Sequence, residues 1–280
     1  MPELPEVETM VLGLRERLLG QRVRRVRIFC DRLLGQTTPA TLRRVRGGRV
    51  IGLNRKGKFL LFHLSNASLL VFHLRMTGKL VLVPSASPLT SRDRLRLDFA
   101  DRDWALSFED TRRFGSLDIL HGCEAADGLL NELGPDALIV GLEDFRQLLA
   151  GARRPVKALL LDQRVIAGLG NIYVDESLHR AGIHPLTPAA DITRPDSRAL
   201  HAAMRRILRK AIGCRGSSVS DYRDSRNRPG TFQKHHRVYQ RAGEPCITCR
   251  EPITYIRVSG RGTHLCPACQ KLPGGGARPL

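Results

Sequence analysis

Two cysteine pairs, Cys246-x2-Cys249 and, sixteen residues on, Cys266-x2-Cys269, constrain the fold more than any other feature of the chain. Each pair forms a knuckle that aims two thiolates at one point, and two knuckles supply the four corners of a tetrahedral structural zinc site. With every position filled by protein, such a metal cannot activate water. Its work is to hold together a module too small to fold alone. Two disulfides are the rival arrangement, which a reducing cell interior disfavours. Between the knuckles, Pro252 to Leu265 reads as a β-hairpin presenting Arg257, Arg261 and His264 at its tip. Cys30, Cys123 and Cys214 are scattered and read as small core residues.

A chain of 280 residues can hold two domains, each with its own core. Its net charge of +19 is too large to be incidental and points to a polyanionic partner, nucleic acid above all. Only seven of the 46 basic residues are lysine. Arginine is always protonated and cannot act as a nucleophile, but it suits bidentate contact with phosphates and guanine edges. No apolar run approaches the length of a membrane span, and residues 1–20 lack the pattern of a secretory signal. The expectation is a soluble, cytoplasmic protein.

Apolar residues at Leu4, Val7, Val11, Leu14 and Leu18 predict one amphipathic helix over residues 4–19. Seven short segments follow, separated by turn signals: 23–29, 49–53, 59–64, 69–74, 79–83, 94–99 and 104–109. Several alternate strictly, as in Leu95, Leu97 and Phe99, and together they predict an antiparallel sandwich or barrel. From about Leu129 the pattern is helical, with candidates at 143–149, 155–161, 172–181 and 196–212. The last puts Leu200, Met204, Ile207, Leu208 and Ala211 on one face. The Gly-, Ser- and Arg-rich stretch from Gly213 to Gly230 predicts a mobile loop, and residues 272–280 a disordered tail. The fold class is α+β.

The chain opens Met1-Pro2-Glu3-Leu4-Pro5-Glu6. If Met1 is trimmed, the secondary amine of Pro2 becomes the terminus, and a terminal amine titrates closer to neutrality than lysine. Such a nucleophile can form an imine with a sugar carbon while Glu3 moves protons. With Met1 retained, the nitrogen is an amide and this chemistry is closed. The plainer reading is a helix start, with Pro5 in the first turn and acids at the positive end of the helix dipole.

Gly168-Leu169-Gly170-Asn171 leads into a helix whose first N–H groups can bind phosphate, with Asn171 as cap or further donor. Asp110-Thr111-Arg112-Arg113-Phe114-Gly115, between two strands, reads either as a charged turn or as an aromatic wedge beside an arginine, suited to unstacking a duplex. Met76 sits at a strand-to-turn junction.

PELPEVE, NRKGK, HLRMTG, DTRRFG, GLGNIYVDE and the paired knuckles stand in the order and spacing of bacterial formamidopyrimidine-DNA glycosylase, which the chain resembles over residues 2–270. The resemblance implies a β-sandwich domain with a leading helix (1–124), a helix-two-turns-helix domain (130–230) and a zinc hairpin (237–271). It implies an enzyme that excises 8-oxoguanine and formamidopyrimidines and then cuts the strand at the abasic site. Pro2 would attack C1′, with Glu3 as acid/base and Glu6 as a supporting carboxylate. Lys58 and Arg261 would act at phosphates beside the lesion. Met76, Arg112 and Phe114 would fill the space of the everted base, Asn171 would contact phosphate, and residues 217–232 would form the loop over that base. The implied partner is duplex DNA carrying an oxidised base or abasic site, bound by a monomer. Arg75 stands where the family commonly has glycine, and the 217–232 loop is unusually charged. The rival functions are the same chemistry on oxidised pyrimidines and a non-catalytic zinc-containing DNA-binding protein.

Overall fold

In the computed structural model, which describes residues 1–35, 37–122, 128, 130–219 and 221–272, helix α1 runs Leu4–Leu18. Pro5 lies in its first turn, where a missing N–H costs nothing, and Leu4, Val7, Met10, Val11, Leu14 and Leu18 form a fully buried stripe. Arg15 donates to the Leu53 carbonyl at 2.8 Å and Arg55 pairs with Glu8 at 2.6 Å, so the polar flank of α1 is also tied to the sheet beneath.

Among the described residues eight strands follow: β1 (Val23–Ile28), β2 (Val50–Lys56), β3 (Phe59–Leu64), β4 (Ser68–His73), β5 (Lys79–Pro84), β6 (Asp93–Phe99), β7 (Trp104–Glu109) and β8 (Ser116–His121). They make two antiparallel four-stranded sheets, β1-β6-β7-β5 and β2-β3-β4-β8. One apolar cluster joins α1 to both, with Leu60, Phe62 and Phe72 from one sheet and Leu95, Leu97, Phe99 and Phe108 from the other. The expected sandwich with a leading helix is present. All seven expected strands occur, β2 running three residues further than its pattern predicted.

Sequence reading missed two elements, β8 and the short helix α2 (Pro39–Val45). The polar side of β6 also departs from simple alternation, because Arg94, Arg96 and Asp98 are buried too. Arg96 is enclosed by Asp93 at 3.2 Å and the carbonyls of Ser87 and Pro88 at 2.7 and 2.9 Å. Four of its five donors thus meet acceptors that replace water.

The helical part comprises α3 (Leu142–Leu149), α4 (Val156–Leu161), α5 (Asn171–Ala181) and α6 (Arg194–Gly213), followed by the hairpin β9 (Thr254–Val258) and β10 (Arg261–Leu265). The five residues predicted on the inner face of α6 are all buried. The chain divides into two compact units, 1–132 with 212–233, and 133–211 with 234–280. Residues 212–233 group with the β-sandwich and the zinc hairpin groups with the helices. Residues 273–280 of the expected tail, and Cys123, lie outside the described residues.

Candidate active site

In the β-sandwich unit the head of the chain is enclosed: Pro2 is buried, and Glu3 and Glu6 are 3% and 2% exposed. Glu3 caps α1, its N–H donating to Glu6 Oε2 at 2.8 Å in a capping box. The other oxygen of Glu6 accepts the Ser217 N–H at 2.7 Å, and the Tyr222 hydroxyl donates to the Glu6 carbonyl at 3.2 Å. Burial and the charges of Glu6 and Asp224 push the Tyr222 phenol far up, so it stays a donor. One carboxylate therefore holds both the helix start and the 217–232 segment.

That segment is far more tied than its composition suggests. Tyr222 joins the sandwich core, and Asp224, 3% exposed, accepts from the N–H groups of Arg226 and Arg228 at 2.9 and 2.8 Å and from the Arg228 guanidinium at 3.0 Å. Ser218 Oγ donates to the Tyr222 carbonyl at 2.7 Å and accepts from Gly230 N–H at 2.9 Å. Gly216 has φ +78°, and a Cβ there would lie 2.7 Å from Glu6 Oε1. Ser220 is outside the described residues.

Lys58 occupies the two-residue β2–β3 turn, preceded by Gly57 at φ +56°, the glycine-first form of a hairpin turn. It is 5% exposed, and its charge reaches His73. Burial first, then Arg75 and Lys58, drive His73 down to about 3, so the ring is neutral. Its Nδ1 accepts the Arg75 N–H at 3.0 Å.

Met76 and Phe114 project at 40% and 54% exposure. The Arg112 guanidinium lies 4.9 Å from the Phe114 ring centroid, a cation–π contact that holds the two as one unit. Beneath them, buried Asp110 accepts from the N–H groups of Gly115 (2.7 Å) and Arg112 (3.2 Å) and from the Thr77 hydroxyl. Thr77 in turn accepts from Arg112 N–H at 3.1 Å. Asp110 and Thr77 thus fasten the Met76 turn to the Arg112–Phe114 turn. Sequence reading passed over both.

In the helical unit Gly170, rather than Asn171, is the N-cap of α5, and Asn171 is its first helical residue. The Asn171 amide donates to the Gly262 carbonyl at 2.9 Å, leaving one of its two N–H groups for another acceptor. Lys157, fully buried, donates to the same carbonyl at 2.9 Å and to Asp175 at 2.6 Å, and Asp175 accepts the His264 N–H at 2.9 Å. Three side chains therefore fix the strand that carries exposed Arg261. The hairpin turns through Ser259 (φ +47°) and Gly260 (φ +76°), as a two-residue turn of right-handed strands requires. Arg257 and Arg261 lie near that turn, but His264, paired with Tyr255, is at the hairpin's root and not at its tip. Lys157 was legible as a lone charge in an apolar helix, and Asp175 as part of GLGNIYVDE; their pairing was not.

The four cysteine Sγ atoms lie within 4.8 Å of one another. Individual separations of 3.3, 3.4 and 3.9 Å bracket the ~3.8 Å edge of a tetrahedron with ~2.3 Å zinc–sulfur bonds. Thr248 and Cys269 N–H groups donate to the Cys246 and Cys266 sulfurs, and His179 Nε2 is 3.6 Å from Cys246. The donor set is that of a structural zinc.

Family models cover most of the chain: the formamidopyrimidine-DNA glycosylase N-terminal domain matches residues 1–117, its H2TH domain 133–223, and the zinc finger found in FPG and IleRS 243–272. The chain belongs to the formamidopyrimidine-DNA glycosylase family. It is 44% identical to formamidopyrimidine-DNA glycosylase of Moorella thermoacetica over 261 residues, covering 92% of this chain and 95% of that one. The Thermus thermophilus protein is 43% identical over 275 residues, covering 96% and 98%. The crystal structure of MutM (FPG) from the same organism superposes with a TM-score of 0.86 at 42% identity, covering 97% and 99%. A complex of a Lactococcus lactis FPG variant with Fapy-dG-containing DNA gives 0.90 at 35% identity, covering 96% and 100%. The chain is thus a DNA glycosylase with a structural zinc, of a family whose activity includes cleavage at abasic sites. No helix among the described residues is long and apolar enough to cross a membrane.

Proposed function

We propose that this glycosylase excises oxidised purines, 8-oxoguanine and formamidopyrimidines, from duplex DNA, and that Pro2 is its nucleophile. After loss of Met1, the Pro2 amine attacks C1′ of an everted nucleotide, the base departs with a proton, and an iminium links sugar and protein. Glu3, held at the first turn of α1, protonates the ring oxygen as the sugar opens. The iminium acidifies the C2′ proton, and successive β and δ elimination release the 3′ and 5′ phosphates. Lys58 and Arg261 stabilise the flanking phosphates, and Asn171 with the N–H groups opening α5 grips the backbone. Met76, Arg112 and Phe114 occupy the vacated stack, Arg112 facing the unpaired cytosine.

The observation that carries this reading is the arrangement at the head of α1, where Pro2, Glu3 and Glu6 are all buried, Glu6 accepts the Glu3 N–H, and Glu6 also holds the 217–232 segment. Similar structures support the substrate class, being complexes with DNA that contains Fapy-dG, an abasic site or carbocyclic 8-oxo-G. We take the protein to act as a monomer, in the cytoplasm, with three domains near the expected boundaries.

Borohydride reduction with 8-oxoguanine duplex is expected to give a covalent adduct whose mass lacks Met1 and whose cross-link maps to Pro2. An adduct elsewhere ends the mechanism. Faster release of thymine glycol than of 8-oxoguanine would assign the pyrimidine specificity instead, and tight binding without cleavage of abasic sites a non-catalytic role.

A further inference from the structure

Residues 21–50 contain nine arginines against a single acid, Asp31, and the chemistry above uses none of them. The fold gathers five around one depression. β1 forms an edge of its sheet, and α2 packs against it. Between them is a groove of about 540 Å³ lined by Arg24, Arg25, Arg27, Arg43 and Arg46.

Its one acidic lining residue, Asp98, is engaged by Arg27 at 2.7 Å. Arg24, Arg25, Arg43 and Arg46 are exposed, and among the described residues none has a carboxylate within ion-pairing distance. Four uncompensated guanidinium groups around one channel repel each other, and bound anions would relieve that repulsion. We propose that this groove is a second site for the phosphate backbone of duplex DNA, independent of damage. The choice of DNA as the polyanion rests on the function proposed above.

Strand register separates the groove from the wedge. Arg25 pairs with Asp98, Asp98 with Ala105, and Ala105 with Val83, a row that crosses the sheet. The Met76 and Arg112–Phe114 turns are rooted instead at the row of Lys79 and Glu109. Three strand spacings and four residues along the strand place Arg25 about 20 Å from that root. A protein partner is less suited to the groove, whose apolar lining is limited to Val26 and Leu42 with no aromatic anchor. Arginine forks along a channel suit a repeating phosphate.

The test is stoichiometry. The zinc-loaded full chain is saturated with a short duplex bearing a non-cleavable abasic analogue, and a labelled undamaged duplex is titrated in at several salt concentrations. Two duplexes per chain are expected. The triple variant Arg25→Ser/Arg43→Ser/Arg46→Ser should weaken the second at least tenfold and flatten its log K against log salt slope by about 2.7, roughly 0.9 for each lost phosphate contact. Affinity for the first should change less than twofold. Should the triple variant fold poorly by circular dichroism or zinc content, Arg43→Ser/Arg46→Ser, confined to the exposed end of α2, should flatten the slope by about 1.8.

One duplex per wild-type chain overturns the proposal. So does equal weakening of both duplexes, which would mean one extended footprint, or displacement of the second by polyglutamate more readily than by DNA of equal charge, which would mean an acidic protein partner. Failure of the abasic duplex to outcompete undamaged DNA at the first site counts against the function proposed above; the duplex count is read separately.

Discussion

Arg75 has φ +51°, a left-handed conformation that costs a side-chain-bearing residue about 1 kcal/mol. Glycine is the residue that adopts this conformation without that cost. Arg75→Gly should remove that strain while adding chain entropy to the unfolded state, leaving stability within about 0.5 kcal/mol by urea unfolding. Asp110 is a sharper case, because Asp110→Ala leaves the Gly115 N–H and the Thr77 hydroxyl without their acceptor and the Arg112 N–H with Thr77 Oγ1 alone. A loss of about 2–3 kcal/mol is expected, with weaker lesion binding as the wedge loosens. Calorimetry and a binding titration on the same preparation check both. The residues proposed to act on the substrate were legible because their types sit in short motifs. The partners of Asp110, Thr77 and Lys157 were not, because they lie across turns or in the hairpin, where only three-dimensional register brings them together.

At the scale of elements, β4 and its following turn carry a pH dependence. His73 titrates at about 3 in the fold against 6.5 as its ordinary value. Between those values the unfolded chain binds a proton that the folded chain refuses, so stability falls as pH drops below 6.5, by about 1.4 kcal/mol per unit from this group. His73→Gln should flatten the stability profile from pH 6.5 to 5, measured by urea unfolding. The elements missed in the sequence had signals of their own. Thr38 before Pro39 is a capped helix start, and Thr38 does accept the Thr41 N–H at 3.2 Å. Leu117 and Ile119 alternate in β8, but the strand is short and follows a charged turn, so its pattern was lost in the loop signal. The 213–230 stretch misled for the opposite reason: its glycines and serines read as loose, while Tyr222 and Asp224 anchor it.

For the whole molecule, the zinc site and the Lys157–Asp175 pair hold the hairpin from two sides. Lys157→Met strands a carboxylate at 0% exposure and should cost about 3–5 kcal/mol by thermal or urea unfolding. Removing the metal with a chelator should instead raise hydrogen exchange across residues 254–265 and weaken DNA binding, while the core strands β3, β4 and β7 keep their protection. Overall architecture was readable from the sequence because strand alternation, helix periodicity and cysteine spacing are local. The return of residues 212–233 to the sandwich was not, since it depends on an acceptor at the opposite end of the chain.

That acceptor leaves little room for drift. Gly216 abuts the carboxylate of Glu6, and the adjoining Ser217 N–H is bound to it across 211 positions of sequence. A methyl group at 216 would have to displace the acid, and a shorter acid would release the loop. Homologues are therefore expected to change the two sites together or not at all, a covariation that an alignment of the family can reveal without any assay.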